Sequence, residues 1–445
     1  MALMKTILYA AAGVVFLAAN LFTVSLGPAQ LSLYRLCLAG AAGLLFLMML
    51  GLPNEARLPL RQKNSFSVAF LLGWFAWAAF SVLWVQDLSL WLKALYFIGT
   101  GAFWTVCYSL FFHEERQILR VFYVMQGAIL FVSAIGWYEV ATKDYRFIPM
   151  TPENIHAFVD APARVPIALS GNPNDFALVV LFGIFISFAC MRLSRSLLGK
   201  AISAGAMVSS LGLLAFSESR ANLLGLVLGA GMYVILTCRD KKRIALLVLL
   251  GAAGLGIFMT TPYWGLLLEK AASVMRFDFH SGTYNSESVR IRLIINGLSF
   301  LPKTWWMGTG AGNIEYWMAH DTVVNTNGYV NIHNWWLELL ASFGVIFFVL
   351  YLVFYLRLWK NLLRRYAQSA QSGDRVGQEL AGAFCCCMAA FLMGSISSSS
   401  NMKTEWLWVF WAVAIAFEGT TPAPVTKDTR RPLPGRKEGE GCSCR

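Results

Sequence analysis

Residues 335–356 read WWLELLASFGVIFFVLYLVFYL and carry one charged side chain, Glu338. An apolar run of about 20 residues is long enough to cross the hydrocarbon core of a bilayer. Because no water is available there, backbone hydrogen bonds must be internal, so the stretch is predicted to be a membrane-spanning helix. The whole chain has a similar composition: of its 445 residues, 57% are hydrophobic and 13% are charged, against about 25% charged in soluble domains.

Similar apolar runs recur along the chain and predict an all-α, polytopic membrane protein of about 12 transmembrane helices. The predicted spans lie approximately at 6–27, 29–52, 66–85, 91–112, 118–139, 175–191, 201–217, 220–237, 244–261, 335–356, 379–398 and 405–418. The first run follows Lys5 and resembles a secretory signal, but a second span follows at once, so we interpret it as retained in the protein.

Two connections between the spans are long. One covers residues 140–174, and the larger one covers 262–334, between helices 9 and 10. Within the larger connection, residues 289–301 have an apolar helical rhythm, which predicts a helix packed against the membrane surface. The chain is therefore expected to divide into transmembrane helices 1–9 with the outer loop 140–174 (1–261), a large outer loop (262–334), helices 10–12 (335–418) and a disordered basic cytoplasmic tail (419–445).

The net charge of +12 is unevenly distributed along the chain. With the N-terminus in the cytoplasm, most of the 36 lysines and arginines fall in cytoplasmic connections and in the C-terminal tail. The positive-inside rule therefore predicts that both termini are cytoplasmic and that both long connections face outward. Topology and contact with anionic lipid explain the basic tail, so nucleic acid is not an expected partner. The nine cysteines lack the spacing of a disulfide framework or a zinc site and are expected to be free thiols.

His333 lies just before the span 335–356, in the sequence NIHNWWLELL. Asn334 is suited to cap the helix, and Glu338 suits the positive end of the helix dipole and is a candidate substrate-binding residue. No structural duty is evident for His333. The ordinary interpretation is a surface or packed histidine, and the functional one is a general base that neighbouring arginines keep neutral.

Arg220 lies at the start of a span, in the tight outer turn FSESRANLLG. A cation there opposes both the positive-inside tendency and the helix dipole. One interpretation is an arginine that snorkels to lipid headgroups, and the other is an arginine that binds an anion at a helix N-terminus. In SGNPNDFA, residues 170–177, a capping asparagine followed by proline explains the start of another helix. Asn174 and Asp175 are candidates to line a site there.

Further cations are expected on the outer side. Arg290 and Arg292 precede an apolar helical face in YNSESVRIRLIINGL, and the arginine fork suits phosphate oxygens. Arg35 and Lys93 fall in the outward halves of their spans, where snorkelling explains each singly but two cations at similar depth suggest a shared anion. The glycine-rich MGTGAGN, residues 307–313, lacks the features of a nucleotide-binding loop and is expected to form a tight turn.

These residues together predict an outward-facing membrane pocket with several arginines, one histidine and no pair of metal-binding carboxylates. A lipid-linked diphosphate suits such a pocket, because its tail fits between helices and cations hold its phosphates. In a transfer reaction the cations would stabilise the leaving group, which is otherwise a task for a divalent metal. No metal and no cofactor are therefore expected.

The motifs resemble those of the O-antigen ligase/polymerase superfamily of bacterial membrane glycosyltransferases. The resemblance is carried by SESR followed by a helix, by SGNPNDFA, by the arginine eighteen residues before the first glycine of GTGAGN, and by HNWWLELLASFG. VRIRLIINGLSFL and NIHNWWLELL are most similar to members that act on teichuronic acid and related cell-wall polysaccharides. The resemblance implies about twelve helices, a large outer loop between helices 9 and 10, and transfer of glycan from an undecaprenyl diphosphate carrier to an acceptor hydroxyl.

Carried onto this sequence, the resemblance makes Arg220 the turn arginine, Arg290 the loop arginine and His333 the loop histidine. The spacing to the glycine turn favours Arg290, although Arg292 stays an alternative. Ala221 stands where many members have glycine. The expected location is the bacterial cytoplasmic membrane, with the active site on the outer face.

Other functions remain open from the sequence. A transporter or flippase of lipid-linked oligosaccharide is the main alternative, although transporters typically have internal repeats and ionisable groups near the midplane. A structural scaffold is a weaker alternative, because it needs no arginine pocket. Ligase and polymerase activities use the same donor and differ only in the acceptor, so the sequence does not separate them.

Overall fold

The computed structural model describes residues 1–17, 23–26, 29–51, 64–147, 159, 163–238, 286–398 and 400–421. Its elements, in chain order, are α1 (Ala2–Val14), β1 (Thr23–Leu26), β2 (Ala29–Ser32), α2 (Leu33–Gly51), α3 (Ser65–Phe80), α4 (Leu88–Phe111), α5 (Glu115–Thr142), α6 (Pro173–Leu193), α7 (Leu197–Phe216), α8 (Arg220–Thr237), α9 (Ser286–Lys303), α10 (Ile314–His320), α11 (Trp335–Ser372), α12 (Arg375–Gly394) and α13 (Glu405–Glu418). Short 3₁₀ turns follow α1 and α3 and precede α13.

Within the described ranges, nine helices are long and apolar enough to cross a membrane. The prediction of a helical polytopic membrane protein is thus confirmed. The count of twelve stays a prediction: the predicted span 244–261 and the tail beyond 421 lie outside the described residues. The seven cysteines within the described ranges are free, as expected.

The N-terminal region departs from the predicted pair of spans 6–27 and 29–52. The first helix and its 3₁₀ turn end at Leu17, and α2 begins only at Leu33. Between them β1 and β2 pair antiparallel, with Leu26 opposite Ala29. The residues between the strands are Gly27 and Pro28, and a glycine–proline pair favours a turn over a continuous helix. The described fold is therefore not purely helical.

The short helix α13 lies at the centre of the bundle. Between its terminal residues Glu405 and Glu418 it is apolar on all sides, and a helix of that kind is stable only when it is surrounded by protein. Phe410 stacks on Phe182 of α6 with ring centroids 4.7 Å apart. A Cβ added to Gly101 of α4 would lie 2.2 Å from Trp408, so α4 and α13 pack in direct contact. Enclosure by protein explains how so short a helix forms part of a membrane fold.

The ends of the helices define two ends of the bundle. The basic end carries the connections α4–α5, α6–α7 and α11–α12, where Arg365 pairs with Glu115 and Arg192 pairs with Glu379 at 3.0 Å. The site end carries the connections α3–α4, α7–α8 and α12–α13, the start of α6, and the chain between α9 and α11. The residues singled out from the sequence as candidates for the site lie near the site end.

Helix α11 is interrupted at Gly344, whose φ of 82° and ψ of 175° are not helical. The interruption leaves carbonyl groups without partners inside the helix. Thr309 and Gly310 donate their backbone N–H groups to the carbonyls of Ala341 and Ser342 at 2.8 and 2.9 Å. Such replacement of lost helical hydrogen bonds is what an apolar environment demands.

Glycine is required on both sides of this contact. A Cβ at Gly308 would lie 2.6 Å from the backbone of Ser342 and Gly344, and one at Gly344 would lie 2.3 Å from the carbonyl of Trp306. Both residues also have positive φ values, which glycine adopts without steric cost. The glycine-rich stretch 307–313 therefore forms a tight turn, as expected, and the turn completes the broken helix.

The predicted loop helix is confirmed as α9. Its apolar face packs with α10 and the first turns of α11 in a small second core of Val289, Leu293, Phe300, Ile314, Met318, Ile332, Leu337 and Ala341. Asn313 fastens this unit to the bundle, because its amide oxygen accepts hydrogen bonds from the backbone of Gln86 and Asp87 at 2.9 and 2.7 Å. The described part of the long loop is thus a packed unit that precedes α11.

Candidate functional site

The motifs around Asn174 and Arg220 meet at the site end. Asn172 caps α6 by accepting the N–H of Asn174 at 2.8 Å, with Pro173 at the first helical position, as predicted. The side-chain oxygen of Asn174 accepts a hydrogen bond from the Ser219 hydroxyl at 2.7 Å. Because Ser219 directly precedes α8, this bond holds the exposed Arg220 beside the start of α6.

Asn222 extends this network to a third part of the chain. Its buried amide donates to the Ser219 hydroxyl at 2.9 Å and to the carbonyl of Asn174 at 3.2 Å. The same amide also donates to the Ser397 hydroxyl at 3.5 Å. Ser397 belongs to a polar segment, residues 395–398 and 400–404, that joins α12 to α13.

The polar segment also contacts the histidine motif. The N–H of Trp335 donates to the carbonyl of Ser395 at 3.1 Å, and the His333 ring forms a backbone hydrogen bond with Ser398. Asn334 caps α11, accepting from the N–H groups of Trp336 and Leu337, as predicted. Three motifs that are far apart in sequence therefore converge on one segment.

His333 has an unusual backbone and a shifted side chain. Its φ of 51° lies in the left-handed region, which non-glycine residues seldom adopt. Burial lowers the pKa of His333 below its ordinary value, the positive charge of Arg290 lowers it further, and the bond with Ser398 acts in the opposite direction. The imidazole therefore stays neutral over a wider pH range than a free histidine, and a neutral ring can accept a proton.

The two loop arginines have different surroundings. Arg290 is half-buried and close enough to His333 to act on its pKa. Arg292 is buried at 2% exposure and donates to the carbonyl of Asn325 at 3.1 Å. Arg292 thus braces the loop, whereas Arg290 faces the histidine.

Glu338 is buried one turn into α11. It accepts a hydrogen bond from the hydroxyl of Ser400 at 2.7 Å, which again joins α11 to the polar segment. Lys403, farther along that segment, pairs with Glu315 of α10. The polar segment is therefore held by charged or polar side chains from both α10 and α11.

A cavity of about 360 Å³ opens beside these contacts. Its polar lining comprises Arg35, Ser170, Asp175, Asn331, Ser400, Lys403, Thr404 and Glu405, and its aromatic lining comprises Phe16, Phe97 and Trp406. Asn331 precedes His333 by two residues, and Ser400 follows Ser398 by two. The cavity therefore lies next to the histidine rather than around it.

Two of the candidate residues, Arg35 and Asp175, line this cavity. Lys93 is exposed on α4, one turn before the cavity-lining Phe97. Among the residues described as lining the cavity, Arg220, Arg290 and His333 do not occur; Asn222, near Arg220, and His333 contact the polar segment, which lines part of the cavity.

Sequence reasoning missed Lys403 and Glu405. The predicted span 379–398 covered the start of the polar segment, because α12 ends already at Gly394, and the predicted span 405–418 included Glu405. The signal was the run SISSSSNMKTE, residues 395–405, which is too polar for a span. Within the described ranges no group of three or more His, Cys, Asp or Glu side chains is arranged to hold a metal ion.

Two comparisons with known proteins found similar sequences. Residues 205–352 match the model of the O-antigen ligase family, a stretch that includes Arg220, Arg290 and His333. The chain is also 27% identical over 423 residues to the teichuronic acid biosynthesis protein TuaE of Bacillus subtilis (strain 168), a match that covers 93% of this chain and 84% of the relative. The resemblance predicted from the motifs is thereby confirmed: this membrane protein carries an O-antigen ligase-like region and resembles TuaE along most of its length.

Proposed function

We propose that this protein is a glycosyltransferase of bacterial cell-surface polysaccharide synthesis. It transfers glycan from an undecaprenyl-diphosphate-linked donor to an acceptor hydroxyl, in polymerisation or ligation of a teichuronic acid-like or O-antigen-like polymer. One observation carries the proposal: the segments that bear Arg220, Arg290 and His333 meet at one end of the bundle. The O-antigen ligase match and the name of the relative TuaE support the choice of reaction.

His333 is the general base of the proposed reaction. It removes the proton from the acceptor hydroxyl as that oxygen attacks the anomeric carbon of the donor sugar. The bond between the anomeric carbon and the diphosphate oxygen breaks, and the diphosphate carrier leaves. Burial and the charge of Arg290 favour the neutral imidazole that this step needs.

Arg220 and Arg290 bind the diphosphate and stabilise the negative charge that develops on it. Their forked guanidinium groups suit phosphate oxygens, and Arg220 begins helix α8, whose N-terminal dipole also favours an anion. The positive charges stabilise the leaving group without a metal. Asn174 positions the Arg220 turn through Ser219, and Lys93 and Glu338 belong to the surroundings of the bound substrate.

The reaction takes place at the outer face of the bacterial cytoplasmic membrane. The site end lies opposite the basic end, which carries Arg116, Arg120, Arg192, Arg195, Lys200, Arg357, Lys360, Arg364, Arg365 and Arg375. Cytoplasmic connections are enriched in lysine and arginine, so the basic end faces the cytoplasm and both termini lie there. The polyprenyl tail of the donor remains in the bilayer.

Purified variants test this proposal with a lipid-linked donor in detergent. His333→Ala and Arg220→Ala are each expected to lower transfer by at least about 100-fold, the usual effect of losing a general base or an oxyanion-stabilising donor. Arg195→Ala, at the basic end, is the matched control for the arginine, and His320→Ala, which removes an exposed histidine that does not line the cavity, is the control for the histidine. Near-wild-type transfer by both site variants contradicts the proposal.

The same assay separates an enzyme from a transporter of lipid-linked oligosaccharide. Detergent removes the two compartments that transport requires, so product formation identifies an enzyme. Deleting the gene then distinguishes the two acceptors: single repeats on the surface indicate a polymerase, and accumulated long lipid-linked chains indicate a ligase.

A further inference from the structure

We propose that the 360 Å³ cavity at the site end is a saccharide subsite that selects a sugar ring without net charge. This inference rests on the proposed function, since it assigns the place of one sugar of the reacting glycans. It adds the substrate class at that place and names Glu405 as a residue that determines specificity.

The cavity has the size and mixed lining that a sugar requires. Its volume falls within the range of small-molecule sites, about 300–1,000 Å³. Phe16, Phe97 and Trp406 supply apolar rings for the C–H faces of a pyranose. Ser170 and Asn331 are among the hydroxyl and amide groups that can bind the hydroxyls at its rim.

The charges around the cavity are balanced among the described lining residues. The lining contains two cations, Arg35 and Lys403, and two carboxylates, Asp175 and Glu405. Lys403 is already paired with Glu315 outside the lining, and Arg35 lies 6.0 Å from the ring of Tyr96, whose hydroxyl lies 3.4 Å from Glu405.

A sugar carboxylate in this cavity would be an additional negative charge in a partly enclosed space. Lys403 is already paired with Glu315, and Arg35 lies close enough to Glu405 for their charges to interact, so a uronate ring brings a further negative charge beside Asp175 and Glu405. An uncharged ring forms hydrogen bonds with the same carboxylates and adds no charge. The electrostatics therefore select neutral sugars against acidic ones.

The position of the cavity relates this subsite to the reacting groups. Asn331 and Ser400 line the cavity, and each lies two residues from a member of the His333–Ser398 contact. A ring seated in the cavity therefore lies near the segments that form the His333–Ser398 contact. The subsite positions a substrate ring next to the base and is separate from the arginines that bind the diphosphate.

Binding of a matched pair of disaccharides to the protein in nanodiscs tests this subsite. Cellobiose and cellobiouronic acid differ in one group, since a carboxylate replaces a hydroxymethyl group. Saturation-transfer NMR is expected to show cellobiose binding at least about fivefold more tightly, because one like-charge contact opposes the acid. Equal affinity, tighter binding of the acid, or no binding of either sugar overturns the inference.

Glu405→Gln sharpens the test, because it removes one carboxylate and keeps the shape of the side chain. In this variant cellobiouronate should bind more tightly, so the preference for cellobiose is expected to fall severalfold. The control is Asp321→Asn, which changes an exposed carboxylate paired with Lys303 and should leave the preference unchanged. An unchanged preference in Glu405→Gln overturns the role of this residue.

His333→Ala separates this inference from the proposed function. It is expected to bind cellobiose normally, since His333 is not among the described lining residues. Normal transfer by this variant with intact sugar selection refutes the catalytic proposal alone. If His333→Ala loses transfer but the wild-type protein does not distinguish the two disaccharides, only the subsite is refuted.

Discussion

The basic end and the site end of the bundle use charged side chains for different purposes. At the basic end, Arg365 pairs with Glu115 and Arg192 pairs with Glu379, so ionic contacts join one helix to another. At the site end one ion pair, Lys403 with Glu315, also joins two elements, but most charged groups line a cavity, and Arg290 acts on His333. Substitutions at the basic end should therefore alter stability first, and substitutions at the site end should alter transfer first.

The largest effect on stability is expected from Glu115→Ala. The Glu115 carboxylate is fully buried against Arg365, whose charge would be left inside the protein without its partner carboxylate. Breaking a buried ion pair on one side costs about 3–5 kcal/mol. Thermal unfolding in detergent, followed by circular dichroism, measures this loss. Replacing both partners with apolar residues should restore most of the stability, and a single variant as stable as wild type would show that the pair does not hold the helices.

Gly344→Ala is expected to lower both stability and transfer. Its backbone conformation is nearly exclusive to glycine, which costs an alanine about 1–3 kcal/mol, and the added Cβ would collide with the carbonyl of Trp306. Transfer falls because the first half of α11 follows directly from His333.

Gly373→Ala is the matched control for the Gly344 variant. It also has a positive φ, but a Cβ there meets nothing within 4 Å. The control should therefore show a smaller loss of stability in thermal unfolding and normal transfer. If the two variants behave alike, the contact between the glycine turn and the broken helix has no special importance.

Arg290→Gln is expected to move the acid limb of the transfer rate to higher pH. The charge of Arg290 is one of the causes that lower the pKa of His333, so its removal raises that pKa. The base works only when neutral, and activity therefore starts to fail at a higher pH as the solution is acidified. Burial still lowers the pKa, so the limb stays below that of a free histidine.

The pH profile of the residual activity measures this shift, with Arg292→Gln as the control for loss of a nearby arginine. Arg292 is not among the groups that act on His333, so the control should keep the acid limb of the wild type. An unchanged acid limb in Arg290→Gln would show that the charge of this arginine does not affect the pKa of His333.

The smallest effect on stability is expected from Glu379→Gln. Its partner Arg192 is nearly half exposed, so solvent already screens the pair. Exposed ion pairs contribute about 0.2–1 kcal/mol. Thermal unfolding should therefore detect only a slight change and transfer should be normal. A loss as large as that of Glu115→Ala would remove the distinction between buried and exposed pairs at this end.

The sequence was sufficient to predict those helix boundaries that depend only on neighbouring residues. Asn172 with Pro173, and Asn334, cap helices where the sequence predicts, since a cap needs only the next three residues. The helix within the long loop was predictable for the same reason, because its apolar rhythm lies within one stretch. Convergence of the motifs near His333 was expected from charge and topology, and the individual hydrogen bonds were not.

Features that depend on distant contacts were not predictable in this way. The break at Gly344 lies in an uninterrupted apolar run, and the hydrogen bonds that allow it come from distant residues, namely Trp77, Trp306 and the turn at 307–313. The polar segment with Lys403, and Glu405 at the start of α13, were missed because hydropathy averaged over about 20 residues conceals a short polar end. The hairpin before α2 was missed for a similar reason, since its strands are apolar enough to pass for helix.

Asn222 has a consequence for how sequences of this kind can diverge. One side-chain amide reaches Asn174, Ser219 and Ser397, and a Cβ on Gly394 would lie 2.7 Å from its oxygen. An exchange at any of these positions disturbs the others, so they should vary together between species rather than one at a time. Covariation among these positions in a large set of related sequences would show that the hydrogen-bond network is inherited as a unit.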